Sequence, residues 1–320
     1  MFEVLESTAF VVRESRWVRI DAKAAAAFAE RLVREDTPIP SWDEEHHWTG
    51  PPDRVVASLM VLDTINFCFW PPPGKDPWEV EIEGRRVSGY NGLAAALKRA
   101  MDSGVPLDDA GFLASMTPKR LRGIIGGRGT LQLMDERARA LQDLGEVLSR
   151  DYGGGAHRLV ESVKGWAVDL ARLLAKKLPS FRDTAVFRER AVFFYKRGQI
   201  LAADLHGALG GRGWGAFHDL DRLTAFANYK LPQVLRHMGV LVYAEPLAKR
   251  VDRMDLLTPG SSEEVEIRAN TVQAVEAVRR EAAGLGRTLG SCEIDGLLWQ
   301  LGQGNPFRER PFHRTVSIFY

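Results

Sequence analysis

Residues 130–178 carry the pattern that most constrains the fold. The segment "TLQLMDERARALQDLGEVLSRDY" (130–152) sets apolar residues three and four apart, and after "GGG" the segment "AHRLVESVKGWAVDLARLLAKKL" (156–178) does so again. A stripe of that period has to be buried against another element, and three glycines break the backbone between the two. Two long amphipathic helices in succession therefore call for a helical architecture. The rest of the chain agrees. "DAKAAAAFAERLVR" (21–34) predicts a helix with Asp21 as N-cap, and "TPKRLRGIIGG" (117–127) has Thr and Pro at a helix start and Gly at its end. Helices are also predicted over "NGLAAALKRAMDSG", "SSEEVEIRANTVQAVEAVRREAAG" and "SCEIDGLLWQLGQ". The apolar run "RVVASLMVLDTINFCFW" (54–70) predicts a buried helix that lasts until "PPPGKDP". The segments 191–209 and 220–241, separated by "GGRGWGAFHD", belong to the same helical part. Only "WEVEIEGRRVSGY" (78–90) alternates around a Gly turn, as a hairpin does, and "FHRTVSIFY" (312–320) reads as a strand returning to the core. The expected fold class is mainly α, with a small β element near the N-terminal third. A length of 320 residues suits one large domain, 1–320, or two closely packed helical lobes.

Charge narrows the function. There are 43 basic and 42 acidic residues, a formal net charge of +1. A protein that wraps nucleic acid carries a clear basic excess, so stable nucleic-acid binding is not expected, although a local basic pocket is compatible with this balance. Cys68 and Cys292 sit in apolar surroundings without a CxxC or Cys/His cluster, as free thiols in a reducing cytoplasm do. No basic stretch leads into an apolar one at "MFEVLESTAFVV", and no run approaches a membrane span, so a soluble cytoplasmic protein is expected. "GGRG" occurs at 126–129 and 210–213 without completing a GxGxxG or a phosphate loop. His46–His47 is not at helical metal spacing, and HExxH and GxSxG are absent. Metal and acyl-transfer chemistry are disfavoured, and no cofactor is expected.

Five segments mix aromatics with ionisable or amide groups. They are "TINFCFW" with Asn66, Phe67, Phe69 and Trp70; "FFYKRGQ" with Tyr195, Lys196, Arg197 and Gln199; "TAFANYKLPQVL" (224–235); "CEIDGLLW" with Glu293, Asp295 and Trp299; and "PFHRTVSIFY" with His313 and Arg314. Each alone is what a core aromatic beside a solvated charge gives. Together they suit a planar base attached to a sugar phosphate.

These segments, with "SGYNGLAAALKRA" and "EVEIRANTVQAVE", resemble the queuosine salvage proteins, the queuosine 5′-phosphate N-glycosidase family, in order and over most of the chain. The resemblance implies hydrolysis of the bond between queuine and ribose 5-phosphate, with queuine passing to tRNA modification. It implies no metal or redox cofactor, and a helical fold like that of base-excision DNA glycosylases. One residue departs. The family pattern reads Phe-Ala-Asp-Tyr with Asp as the catalytic carboxylate, whereas this chain reads Phe226-Ala227-Asn228-Tyr229, an inactivating change that is either engineered or natural. On this reading Asn228 holds the catalytic position. Phe226 and Trp299 stack on the base, Glu293 and Asp295 accept hydrogen bonds from its polar edge, and His46 reaches the base or its cyclopentenediol arm. Lys196, Tyr229 and Arg314 are candidates for the 5′-phosphate, and Gln233 faces the same pocket if a helix starts at Pro232. The partner is thus a small molecule, with no membrane and a monomeric protein. Two alternatives stay open: a DNA or RNA glycosylase acting on a flipped base, and a non-catalytic deazapurine-nucleotide binding protein in which Asn228 is native.

Overall fold

The computed structural model describes residues 2–320, of Phe2 the backbone alone. Its first half runs α1 (Phe2–Glu14), β1 (Val18–Ile20), α2 (Ala22–Arg34), α3 (Pro52–Thr64), β2 (Glu79–Ile82), β3 (Arg85–Ser88), α4 (Gly89–Asp102), α5 (Ala110–Ala114) and α6 (Pro118–Ile125). It continues through α7 (Met134–Tyr152), α8 (Ala156–Ser162), α9 (Ala167–Lys177), β4 (Thr184–Phe187), β5 (Arg190–Phe193) and α10 (Lys196–Ala208). The last elements are α11 (Lys230–His237), β6 (Leu241–Tyr243), α12 (Glu245–Asp252), α13 (Ser262–Gly284) and α14 (Ser291–Gln303). With 55% of residues helical and small antiparallel strand pairs, the fold is mainly α, as the sequence predicts.

The chain forms two compact units. One holds the chain up to Pro40 with residues 183–196 and 219–317; the other holds 41–182, 197–218 and 318–320. The first is built around α13, which packs against α1, α2 and α14. Its residues from Glu264 to Val272 are buried in unbroken succession, so polar members must find partners inside. Glu266 does so by accepting the N–H groups of Arg16, Trp17 and Val18 through Oε2 at 2.9, 2.6 and 3.2 Å, which fixes the entry of β1. β1 pairs with β6, and α2, α11 and α14 close the apolar core with Phe28, Leu32, Leu231, Leu235, Ile294 and Leu298.

Local chemistry explains several boundaries. Asp21 accepts from Ala24 N–H and Thr117 from Arg120 N–H, so both predicted caps form. The 78–90 hairpin is β2–β3, turning at Glu83 and Gly84 with φ of 51° and 75°, the doubly left-handed turn that matches strand twist. The predicted helix 156–178 is two helices, because Lys164 at φ 52° and Gly165 at φ 78° turn the chain out of α8. The predicted helix 54–70 ends at Thr64. Two buried arginines of the same unit take over its carbonyls: Arg197 donates to the carbonyls of Asp63 (2.7 Å) and Thr64, and Arg137 to those of Ile65, Phe67 and Cys68 (3.2 Å). Both guanidiniums lie over the Phe67 ring, Arg137 at 4.3 Å and Arg197 at 5.0 Å. The tail 312–320 is not a strand. It makes isolated main-chain contacts, Leu257 N–H to Arg314 C=O at 2.8 Å and Cys68 N–H to Tyr320 C=O at 3.0 Å. Among the described residues, no helix is long and apolar enough to cross a membrane.

Candidate active site

The stretch that precedes α11 lies outside any helix or strand and is buried from Leu223 to Ala227, so each of its polar main-chain groups needs a partner. Asp295, one turn into α14, accepts the Phe226 N–H through Oδ1 at 2.7 Å. Arg268 of α13 donates from Nε to the Ala227 carbonyl at 3.1 Å. Asn228 Oδ1 then accepts the N–H groups of Lys230 (2.6 Å) and Leu231 (3.0 Å), the first donors of α11. Two donors facing one atom identify that atom as the amide oxygen, so Nδ2 takes the opposite position. α11 therefore starts two residues before Pro232, which lies in the first turn, where its missing N–H leaves no hydrogen bond broken.

Beyond the cap, Tyr229 stacks on Phe312 at 4.9 Å and 27°. Lys230 Nζ and the Arg314 guanidinium both approach the Phe312 ring, at 5.5 and 5.7 Å from its centre. Burial, with the charge of Arg308 added, pushes the Lys230 amine down to about 8, and burial lowers Arg314 as well. Two destabilised cations beside an aromatic face form a place where an anion is favourable. Gln233 lies in the first turn of α11, beside Lys230. Its Nε2 donates to the Arg310 carbonyl and its Oε1 accepts from Lys230 Nζ at 3.2 Å.

Lys196 is buried at the start of α10, and its N–H donates to Asp183 Oδ2 at 3.2 Å. The residue before it, Tyr195, has φ of 49°, a backbone that side chains rarely adopt outside constrained sites. On α14, Asp295 and Trp299 stand one turn apart on a shared face, Trp299 half-buried against the core. Glu293 caps its own helix, its Oε2 accepting the Gly290 N–H at 2.7 Å. His313 is buried, and burial together with the charge of Arg268 pushes its imidazole down to about 3, which keeps it neutral.

His46 belongs to the other unit. Its Nδ1 lies 2.6 Å from Asp43 Oδ2, while His47 Nδ1 donates to the Asp43 carbonyl at 2.6 Å. His47 Nε2 sits 2.8 Å from the Tyr90 hydroxyl, which donates to Asp204 Oδ2 at 2.8 Å. Burial lowers His47, and burial reinforced by Asp204 raises Tyr90 well above its usual range.

The structure thus joins Phe226, Asn228 and Asp295 through main-chain hydrogen bonds, and Tyr229 and Arg314 through Phe312. Sequence reasoning missed Lys230, Asp183 and Arg268. No local signal marks Arg268: its neighbours Glu264, Glu266, Asn270 and Thr271 are polar, as on a solvated face, and their burial follows only from the packing of α13. Among the described residues, no three His, Cys, Asp or Glu side chains converge as a metal site.

Comparison with known proteins adds the family. The description "Queuosine salvage protein" matches residues 46–320. A protein of Sphaerobacter thermophilus named queuosine 5′-phosphate N-glycosylase/hydrolase is 44% identical over 317 residues, 99% of this chain and 97% of that one. Proteins of the same name from Dictyostelium discoideum and Bos taurus are 36% and 34% identical, each covering 98% of the relative.

Proposed function

The chain belongs to the queuosine salvage protein family, and we propose that its reaction is hydrolysis of queuosine 5′-phosphate to queuine and ribose 5-phosphate, with position 228 at the catalytic centre. The observation that carries this is likeness along the whole chain, 44% over 99% of its length, to a relative named for that activity. The family match from 46 to 320 runs through parts of both compact units, which supports one functional domain over two independent ones.

The chemistry asks for a carboxylate. As the base departs, positive charge builds on C1′ and O4′ of the ribose; water supplies a hydroxyl to C1′ and a proton to the base. An Asp at 228 would keep one oxygen on the Lys230 and Leu231 N–H groups and turn the other, still anionic, away from the backbone. Two N–H donors stabilise the ionised form, which suits a group that faces a developing cation. With Asn228 the same two donors hold Oδ1, and Nδ2 occupies the other place. The positive end of a dipole replaces a negative charge. This chain is therefore expected to bind queuosine 5′-phosphate and barely cleave it. In this reading Phe226 and Trp299 flank the base, and Lys196, Lys230 and Arg314 are the cations for the phosphate.

A second reading, a non-catalytic binding protein for a deazapurine nucleotide, draws on the same cap: the Asn228 carbonyl is well partnered as it stands. Mass spectrometry of queuine release by this chain and by Asn228→Asp separates the two. Removing a general base alone costs ~10²–10⁴ in rate, so Asn228→Asp is expected to release queuine at least ~10² faster. A folded Asn228→Asp protein that binds the nucleotide and releases nothing would leave only the binding role.

A further inference from the structure

We propose that Arg268 and Asp183 are a positioning pair that sets the segment 226–228 and the start of α10 by one buried contact, so that position 228 and Lys196 are aligned together. The inference deepens the function proposed above and rests on it for its kinetic readout alone.

Asp183 gathers three successive N–H groups. Its main-chain oxygen accepts those of Phe194 (3.0 Å) and Tyr195 (3.2 Å), and its Oδ2 accepts that of Lys196 (3.2 Å). That convergence is what a left-handed Tyr195 requires in order to persist. Arg268 meets the same carboxylate with two parallel hydrogen bonds, Nη1 to Oδ1 at 2.9 Å and Nη2 to Oδ2 at 2.6 Å. Its Cζ lies 3.9 Å from the centre of the Phe194 ring, and Glu264, one turn earlier, stands 3.5 Å from Nη1. The remaining edge of the guanidinium, Nε, holds the Ala227 carbonyl. The peptide unit is planar, so fixing that oxygen fixes the nitrogen and Cα of Asn228. A guanidinium is itself rigid and planar, so the position of Asp183 is carried across it to residue 228.

Stability alone does not account for the pair. Buried ion pairs are often no more stable than apolar residues of similar volume. What distinguishes this one is where its spare contacts go: to the two segments that carry the catalytic position and a phosphate candidate.

Backbone amide exchange read by mass spectrometry tests the coupling without any ligand, on the full chain and its Arg268→Lys and Asp183→Asn variants. Arg268→Lys keeps the charge and loses the fork, and Asp183→Asn keeps the shape and loses the charge. Each is expected to lower protection by about tenfold or more at 194–196 and at 230–231 together, while α2 in the same unit keeps its own. Loosening of one segment alone, or of the whole unit equally, overturns the proposal. In the Asn228→Asp background, Arg268→Lys is expected to slow single-turnover hydrolysis of queuosine 5′-phosphate by about 10², the cost of a misplaced group, beyond whatever it adds to Kd by displacing Lys196. An unchanged rate, or a loss carried wholly by Kd, overturns it too. If Asn228→Asp is itself inert, the catalytic assignment fails while the exchange experiment still decides the pairing.

Discussion

Replacing Lys230 with Met tests the cation patch beside Tyr229 and Phe312. The amine sits at about 8 in the folded chain against an ordinary 10.5, burial being the larger cause and Arg308 the smaller. The difference, 10.5 minus about 8, is about 2.5 units, and at 1.36 kcal/mol per unit the charged amine costs the fold at most about 3 kcal/mol. The sign follows from linkage. Below pH 8 Lys230 is charged in both folded and unfolded chains and the full penalty applies; between about 8 and 10.5 the folded chain loses its proton first and the penalty is relieved. Met removes the penalty and leaves Gln233 Oε1 without its Lys230 donor, which costs about 1–3 kcal/mol. A net gain of up to about 2 kcal/mol at pH 7 is expected by urea unfolding, together with loss of the rise in stability between pH 8 and 10.5. The same variant should bind queuosine 5′-phosphate more weakly, because a phosphate beside the amine restores its preference for the proton. Lower stability of Lys230→Met at pH 7, with the alkaline rise still present, would refute the argument that burial, not pairing, governs this amine.

Three further outcomes are expected. Lys196→Ala should weaken binding of queuosine 5′-phosphate far more than of the free nucleoside, measured by calorimetry; equal losses would make Lys196 a packing residue. Asp295→Ala leaves the Phe226 N–H buried and unpaired, so it should cost about 1–3 kcal/mol in stability, and in the Asn228→Asp background it should slow hydrolysis. His313, pushed to about 3 by burial and Arg268, should show no ring titration by NMR between pH 8 and 4. Because its folded pKa lies below the unfolded value, the stability it contributes is present above about 6.5 and falls by about 1.4 kcal/mol per pH unit below that.

Much of the helical scaffold was legible because caps and periods are local. Asp21 and Thr117 announce helix starts by chemistry that acts within four residues, and each cap forms. What the sequence hid is governed by distant partners. The run 54–70 looks helical throughout, and nothing within it says that Arg137 and Arg197, far along the chain, will take its carbonyls at Ile65 and Thr64. The β4–β5 hairpin turns at Arg188 and Glu189, both left-handed, without the Gly or Asn that marks such a turn. Of the site, the segment 226–229 was recognisable as a motif. That Glu293 caps its own helix and that Gln233 bonds to Lys230 and Arg310 depends on side-chain directions that residue types leave open.

On the function proposed above, position 228 shows how a catalytic acid could be exchanged for an amide with the fold kept. The fold needs one acceptor atom there, to cap the Lys230 and Leu231 N–H groups, and the oxygen of Asn meets that need as well as one oxygen of Asp does. The difference in stability between the two is a charge at a helix N-terminus, about 0.3–1 kcal/mol in favour of Asp. The flanking restraints, Asp295 on Phe226 and Arg268 on Ala227, act on the main chain and do not depend on which side chain follows. The proposed catalysis asks for the other atom. There Asp presents a negative oxygen and Asn an N–H₂ group, and the contrast falls on the charge that develops only as the glycosidic bond breaks. On that proposal folding and ground-state binding are nearly indifferent to the substitution, while the chemical step is not.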